Sequence, residues 1–166
     1  MVVGKREVLF LDTCELRKQH ADIMDQARVL RALMQMPSTN PVVMNISERL
    51  DVLAATLAIH LSLEDREFYP AFILSEDEKV RTCAERFFVE MGHLRRAFGN
   101  FKDAWRSPSS IRSQFVQFAS DAHHIFSLLE NRIQRENDVL FPLWEMSSAA
   151  IPPLAKEIPL SLRKQA

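Results

Sequence analysis

The sequence predicts an all-α fold: an up-down-up-down four-helix bundle followed by a Pro-containing C-terminal tail. Three observations predict it. Only three glycines in 166 residues leave little material for β-turns. Apolar residues recur at alternating steps of three and four in four separate stretches, the period of a helix with one buried face. Proline and Ser-Pro punctuation separates those stretches, so the connections are short and neighbouring helices should be antiparallel. Residues 1–146 are expected to form the bundle and residues 147–166 an irregular tail, because Pro152, Pro153 and Pro159 exclude a long helix there.

The first stripe is Leu16, His20, Ile23, Ala27, Leu30 and Met34, stopping near Pro37. A second, Leu50, Leu53, Leu57, His60, Glu64 and Phe68, begins after the segment Pro41 to Ser47 and ends near Pro70 or just past it. Ser75 with Glu78 three residues on has the pattern of a capping box and opens a third helix. Its stripe is Val80, Ala84, Phe87, Met91, Leu94, Phe98, Phe101 and Trp105. Ser107-Pro108 supplies a cap and a first-turn proline. The fourth stripe follows as Phe115, Phe118, Ala122, Ile125, Leu129, Arg132, Glu136, Val139 and Leu143. In the tail, Ile151, Leu154, Ile158 and Leu160 would pack along the bundle or meet a partner.

Composition excludes several classes. A net charge of -1 gives no reason to expect nucleic acid or an anionic membrane as a partner. No apolar run is long enough to span a bilayer, and Met1 to Arg6 followed by Glu7 and Asp12 is not a signal peptide. Cys14 and Cys83 are too few for a disulfide framework or a thiolate metal site. Together these point to the cytoplasm.

The chain also repeats itself. His60 to Pro70 and Arg132 to Pro142 lie 72 residues apart and share one frame: His or Arg, Glu four residues later, then an apolar residue, an aromatic and Pro. Upstream, His20 precedes His60 by 40 residues and His93 precedes Arg132 by 39. The repeat reads as a duplicated helical hairpin with His and Glu at equivalent places.

His60 and Glu64 stand where a core helix should present Leu or Ile. Burying an unpaired carboxylate costs several kcal/mol, so something must pair with them. Their i, i+4 spacing puts both on one face, about a turn apart, able to converge on one ion. Glu136 holds the same register on the fourth helix and His20 lies on the stripe of the first. Residues at one depth of an antiparallel bundle can form a metal cage. Imidazole and carboxylate without thiolate suit iron or manganese and also zinc; two carboxylates able to bridge favour iron.

These residues resemble the hemerythrin-like, or HHE cation-binding, domain family over roughly residues 8 to 146. The matching positions are His20; His60 with Glu64; His93; and Glu136, closed by Tyr69-Pro70 and Phe141-Pro142. The resemblance implies a four-helix bundle with a non-haem di-iron centre, and metal ligands His20, His60, Glu64, His93 and Glu136. It implies binding or sensing of dioxygen or nitric oxide, or iron handling. The chain departs from the pattern at Ala97, where fuller versions of the family carry a second third-helix His, and at Arg132, which stands at the fourth-helix His position. A guanidinium offers no lone pair and cannot be a ligand. Two ions, one or none therefore remain open. The alternative is a metal-free regulatory or protein-interaction bundle in which Arg132 pairs with Glu136 or Glu64. No further acid-base constellation supports an enzyme. A protein partner or a homo-oligomer is compatible with the sequence. His123 and His124 lie off the stripe and should be solvated. Asp65, Glu67 and Asn137 should orient ligands or face solvent.

Overall fold

A computed structural model of the chain describes residues 13–148, and the tail hydrophobics from Ile151 onward lie outside the described residues. The described residues are helical apart from short connections: α1 (Thr13–Met34), α2 (Asn40–Leu63), a π-helical turn (Glu64–Phe68), α3 (Tyr69–Ile73), α4 (Glu78–Ala104), α5 (Pro108–Ser113), α6 (Phe115–Arg135), a second π-helical turn (Glu136–Leu140) and α7 (Phe141–Ser148). Of the expected tail, Ser147 and Ser148 fall at the end of α7.

The stripes predict the buried faces. On α1, Leu16, His20, Ile23, Ala27, Leu30 and Met34 are all buried. On α4 every residue from Val80 through Trp105 in the expected stripe is buried. Packing of α1 on α2 and α6, and of α4 on α3, α6 and α7, encloses these faces. Each fully buried Leu or Phe side chain contributes about 1.5–3 kcal/mol, so this enclosure is the main source of stability. One end of the core is aromatic: Phe101 stacks on Phe118 with ring centroids 6.0 Å apart, and Trp105 meets Phe118 edge-on at 5.5 Å. The Trp105 indole N–H donates to Asp121 Oδ2 at 3.1 Å, so its polar handle is satisfied.

Several boundaries differ from expectation. α2 begins at Asn40, with Pro41 in its first turn, where a missing N–H costs nothing. α4 is capped by Asp77, whose Oδ1 accepts from the Lys79 N–H at 2.8 Å. Ser75 Oγ accepts from the Asp77 N–H, and the Ser75 N–H goes to the Phe72 carbonyl, so the Ser75/Glu78 box does not form. Ser107 caps as expected, but the helix it opens stops at Ser113, and the chain bends at Gln114 before α6.

The two π turns are the main departure from simple helix periodicity. They fall at equivalent places in the repeat, Glu64–Phe68 and Glu136–Leu140, each immediately before an aromatic-Pro pair. In each, the aromatic N–H reaches back five residues: Tyr69 to the Glu64 carbonyl and Phe141 to the Glu136 carbonyl. A proline supplies no N–H and crowds the carbonyl four residues before it, and the wider turn accommodates both effects at Pro70 and Pro142. The extra residue also shifts the buried face. Leu140 is 1% exposed, whereas Val139, expected on the stripe, is 41% exposed.

Candidate metal centre

Four helical stretches deliver the polar residues of the core to one place. His20 comes from α1, His60 from α2, and Glu64 and Glu136 from the first residues of the two π turns. All four are at least 98% buried. One ligand atom from each lies within 4.8 Å of every other. The π turns matter here because each places a Glu at its start and folds the following aromatic inward, so that Tyr69 and Phe141 are also buried.

The imidazoles are held from behind. His20 Nδ1 lies 2.9 Å from Asn137 Oδ1, and His60 Nδ1 lies 3.0 Å from Gln19 Oε1. With amide oxygens as the acceptors, each Nδ1 carries the hydrogen and each Nε2 keeps its lone pair. Both Nε2 atoms face carboxylates: His20 to Glu136 Oε2 at 3.3 Å, His60 to Glu64 Oε1 at 3.5 Å. Phe141 stacks on the His20 ring at 5.5 Å between centroids, with planes 5° apart. Arg17 closes this side by lying over Phe141 and donating to the Asn137 carbonyl at 2.9 Å.

On the other side of Glu136 stands Arg132, 6% exposed. Its Nε donates to Glu136 Oε1 at 2.7 Å, and its Nη2 lies 2.6 Å from the same oxygen. The Tyr69 hydroxyl also donates to Glu136 Oε1, at 2.7 Å, and accepts from Arg132 Nη2. The guanidinium sits 4.6 Å from the Phe87 ring centroid and 5.7 Å from that of Tyr69, a cation–π cradle. Glu90 of α4 faces it at 3.7 Å from Nη1 and binds Arg135 more closely, at 2.6 Å.

Burial is the largest single influence on His60 and on both glutamates. It pushes His60 down to about 4, with the neighbouring His20 and the Arg132 charge adding to the effect and Glu136 opposing it. His60 is thus a neutral nitrogen donor at neutral pH. Burial pushes Glu64 well above the usual carboxylate range, and the Glu136 charge adds to it while Arg132 opposes. Burial would raise Glu136 as well, but the His20 contact, the Arg132 charge and the Tyr69 hydroxyl outweigh it and hold Glu136 below its ordinary value. Of the two carboxyls, the surroundings favour ionisation of Glu136 and oppose that of Glu64.

The residues fit a cation. His20 Nε2 and Glu64 Oε2 are buried with no hydrogen-bond partner, and such an orphaned atom costs about 1–3 kcal/mol. Two imidazole nitrogens and two carboxylates converging on one point, each imidazole fixed by an amide behind it, are the donor types and outer-shell support of a transition-metal site. A match to a family model agrees: residues 13–144 match the hemerythrin HHE cation binding domain.

The chain belongs to the hemerythrin HHE cation-binding family.

No curated protein and no solved structure gave a significant match to it. For a hemerythrin-family chain, the position of His93 is unexpected. It is exposed on α4 and lies outside the buried group. His93 lies between the buried Met91 and Leu94, about 200° round the helix from the first and about 100° from the second, which turns it outward. The expectation of His93 as a fifth ligand therefore finds no support in the geometry. His123 and His124 are exposed, as expected. Of the residues expected to orient ligands, Asn137 does so, while Asp65 pairs with Arg95 at 2.6 Å. Gln19, Tyr69 and Glu90 were not singled out by sequence as parts of the site. Gln19 is legible only as the neighbour of a stripe histidine, and Tyr69 only through the polar tip on an otherwise aromatic repeat position.

Proposed function

We propose that this chain is a non-haem iron protein whose buried cage of His20, His60, Glu64 and Glu136 serves to bind or sense dioxygen or nitric oxide, or to handle iron, in the cytoplasm. In this reading the four long helical stretches run up-down-up-down and bring the four donors to a common depth. Family membership supports cation binding. The observation that carries the reading is the pair of imidazoles fastened at Nδ1 with Nε2 turned toward the carboxylates, together with the unpartnered Glu64 Oε2. Neutral nitrogens and carboxylate oxygens favour iron or manganese over softer ions. Bound iron supplies an electron-rich centre that diatomic gases ligate. The protein's own part is to hold the donors in place, keep bulk water from them, and balance the charge with two glutamates.

A second reading has its own observation. Arg132, Tyr69 and Glu136 Oε1 hydrogen-bond one another without any ion, as a metal-free interaction bundle would require, although Arg132 Nη1 is left without a hydrogen-bond partner. Anaerobic loading with Fe(II), and separately with Mn(II) or Zn(II), followed by elemental analysis distinguishes the two. The iron reading predicts retained iron that is lost in His60→Ala, and an absorption change on exposure to dioxygen or nitric oxide. A chain that retains none of the three metals would establish the metal-free bundle instead.

A further inference from the structure

We infer that the cage takes a single metal ion and that the Arg132 guanidinium stands where a second would be, so that Glu136 bridges one ion and one arginine. The inference rests on the metal-binding reading above.

The two oxygens of Glu136 are divided in function. Oε2 turns into the group, 3.3 Å from His20 Nε2, while Oε1 receives the Tyr69 hydroxyl at 2.7 Å and Arg132 Nε at 2.7 Å. A carboxylate bridging two ions gives one oxygen to each. Here the cation on the Oε1 side is part of α6. Its surroundings suit a guanidinium rather than a metal: the Phe87 ring lies 4.6 Å from it, and the Tyr69 hydroxyl donates to Glu136 while accepting from Arg132 itself.

Size and charge agree. Donors on opposite sides of one ion, each at about 2.1 Å, stand about 4.2 Å apart, so a group whose atoms lie within 4.8 Å closes around one ion with a small contraction. Two ions would need a wider spread of donors and further ligands, and on the Arg132 side the other oxygen donors are already engaged, the Tyr69 hydroxyl with Glu136 and Arg132 and the Glu90 carboxylate with Arg135 at 2.6 Å. With both glutamates ionised and Arg132 charged, the cage carries one net negative charge. One divalent ion leaves a single positive charge, whereas a second would leave three in a site excluded from water, which a low-dielectric core opposes strongly.

The test is metal stoichiometry in the intact chain. After anaerobic loading with Fe(II) and removal of free metal, elemental analysis should give one iron per chain, and oxidation should give a mononuclear high-spin ferric EPR signal. Two irons, or an EPR-silent coupled pair, would overturn the inference and leave the metal-binding reading standing; no iron would overturn both. Arg132→His removes the charge and offers a nitrogen donor, and should raise the content to two. A folded Arg132→His protein that still holds one iron would overturn the role given to Arg132. Arg132→Lys keeps the charge and should remain at one, so two irons there would overturn it equally, whether or not the His variant folds.

Discussion

At the scale of single residues, the site is built as much by the groups behind the donors as by the donors. Asn137 and Gln19 each accept from an Nδ1 and so fix which imidazole nitrogen faces inward. Removing such a partner typically lowers metal affinity 10- to 100-fold. Asn137→Ala and Gln19→Ala should each weaken iron binding by a factor in that range, measured by competition with a chelator, while leaving stoichiometry unchanged; affinity equal to that of the unmodified chain would show that the imidazoles are oriented by packing alone. The i, i+4 pairing of Arg132 with Glu136 was legible in the sequence as an alternative to metal binding. What it did not show is that Glu136 divides its oxygens, Oε1 to Arg132 and Tyr69 and Oε2 toward His20. That division depends on Tyr69, which reaches Glu136 across 67 positions of chain. Nothing local to either residue signals such a contact.

Among the elements, the apolar stripes were legible because a helix repeats its face every three to four residues. The stripes of α1 and α4 are buried residue for residue. Periodicity failed where the helix itself changes pitch. Past Glu136 the π turn transfers burial from Val139 to Leu140, and a straight extrapolation of the stripe misses this by one residue. His93 shows the complementary error: a spacing matched along the chain to within one residue still leaves a side chain on the wrong face of α4. The helix start is a third case. Asp77 rather than Ser75 accepts the first free N–H of α4, because Ser75 Oγ is engaged by the Asp77 N–H. Asp77→Ala should cost about 1 kcal/mol in chemical denaturation. Glu78→Gln, which removes a charge but no reciprocal cap, should cost less than half of that, and the opposite order would restore the capping box.

For the whole molecule, folding and metal binding are coupled through protons. Burial raises Glu64 and so opposes its ionisation in the metal-free protein, whereas a ligand carboxylate must be ionised. The sign follows directly. Below the folded-state value of Glu64, each rise of one pH unit should strengthen metal binding about tenfold, with release of one proton per ion. His60, lowered to about 4, stays a neutral donor through most of that range and releases none. Calorimetry of metal binding in buffers of different ionisation heat reads the proton count, and release of none would contradict a raised Glu64. In the metal-free chain the His60 contribution to stability is present above pH 6.5 and lost as pH falls toward about 4. The Glu64 contribution has the opposite sign, favouring folding when protonated and vanishing as pH rises through its folded-state value. Among the described residues, no helix is long and apolar enough to cross a membrane.

The most direct test of the central claim is a crystal structure of the iron-loaded chain with anomalous data collected at the iron edge. A single peak should lie within about 2.0–2.2 Å of His20 Nε2, His60 Nε2 and oxygens of Glu64 and Glu136, with Arg132 still bonded to the far oxygen of Glu136. A cage without a peak, or iron bound instead at the exposed His93, His123 or His124, would contradict it.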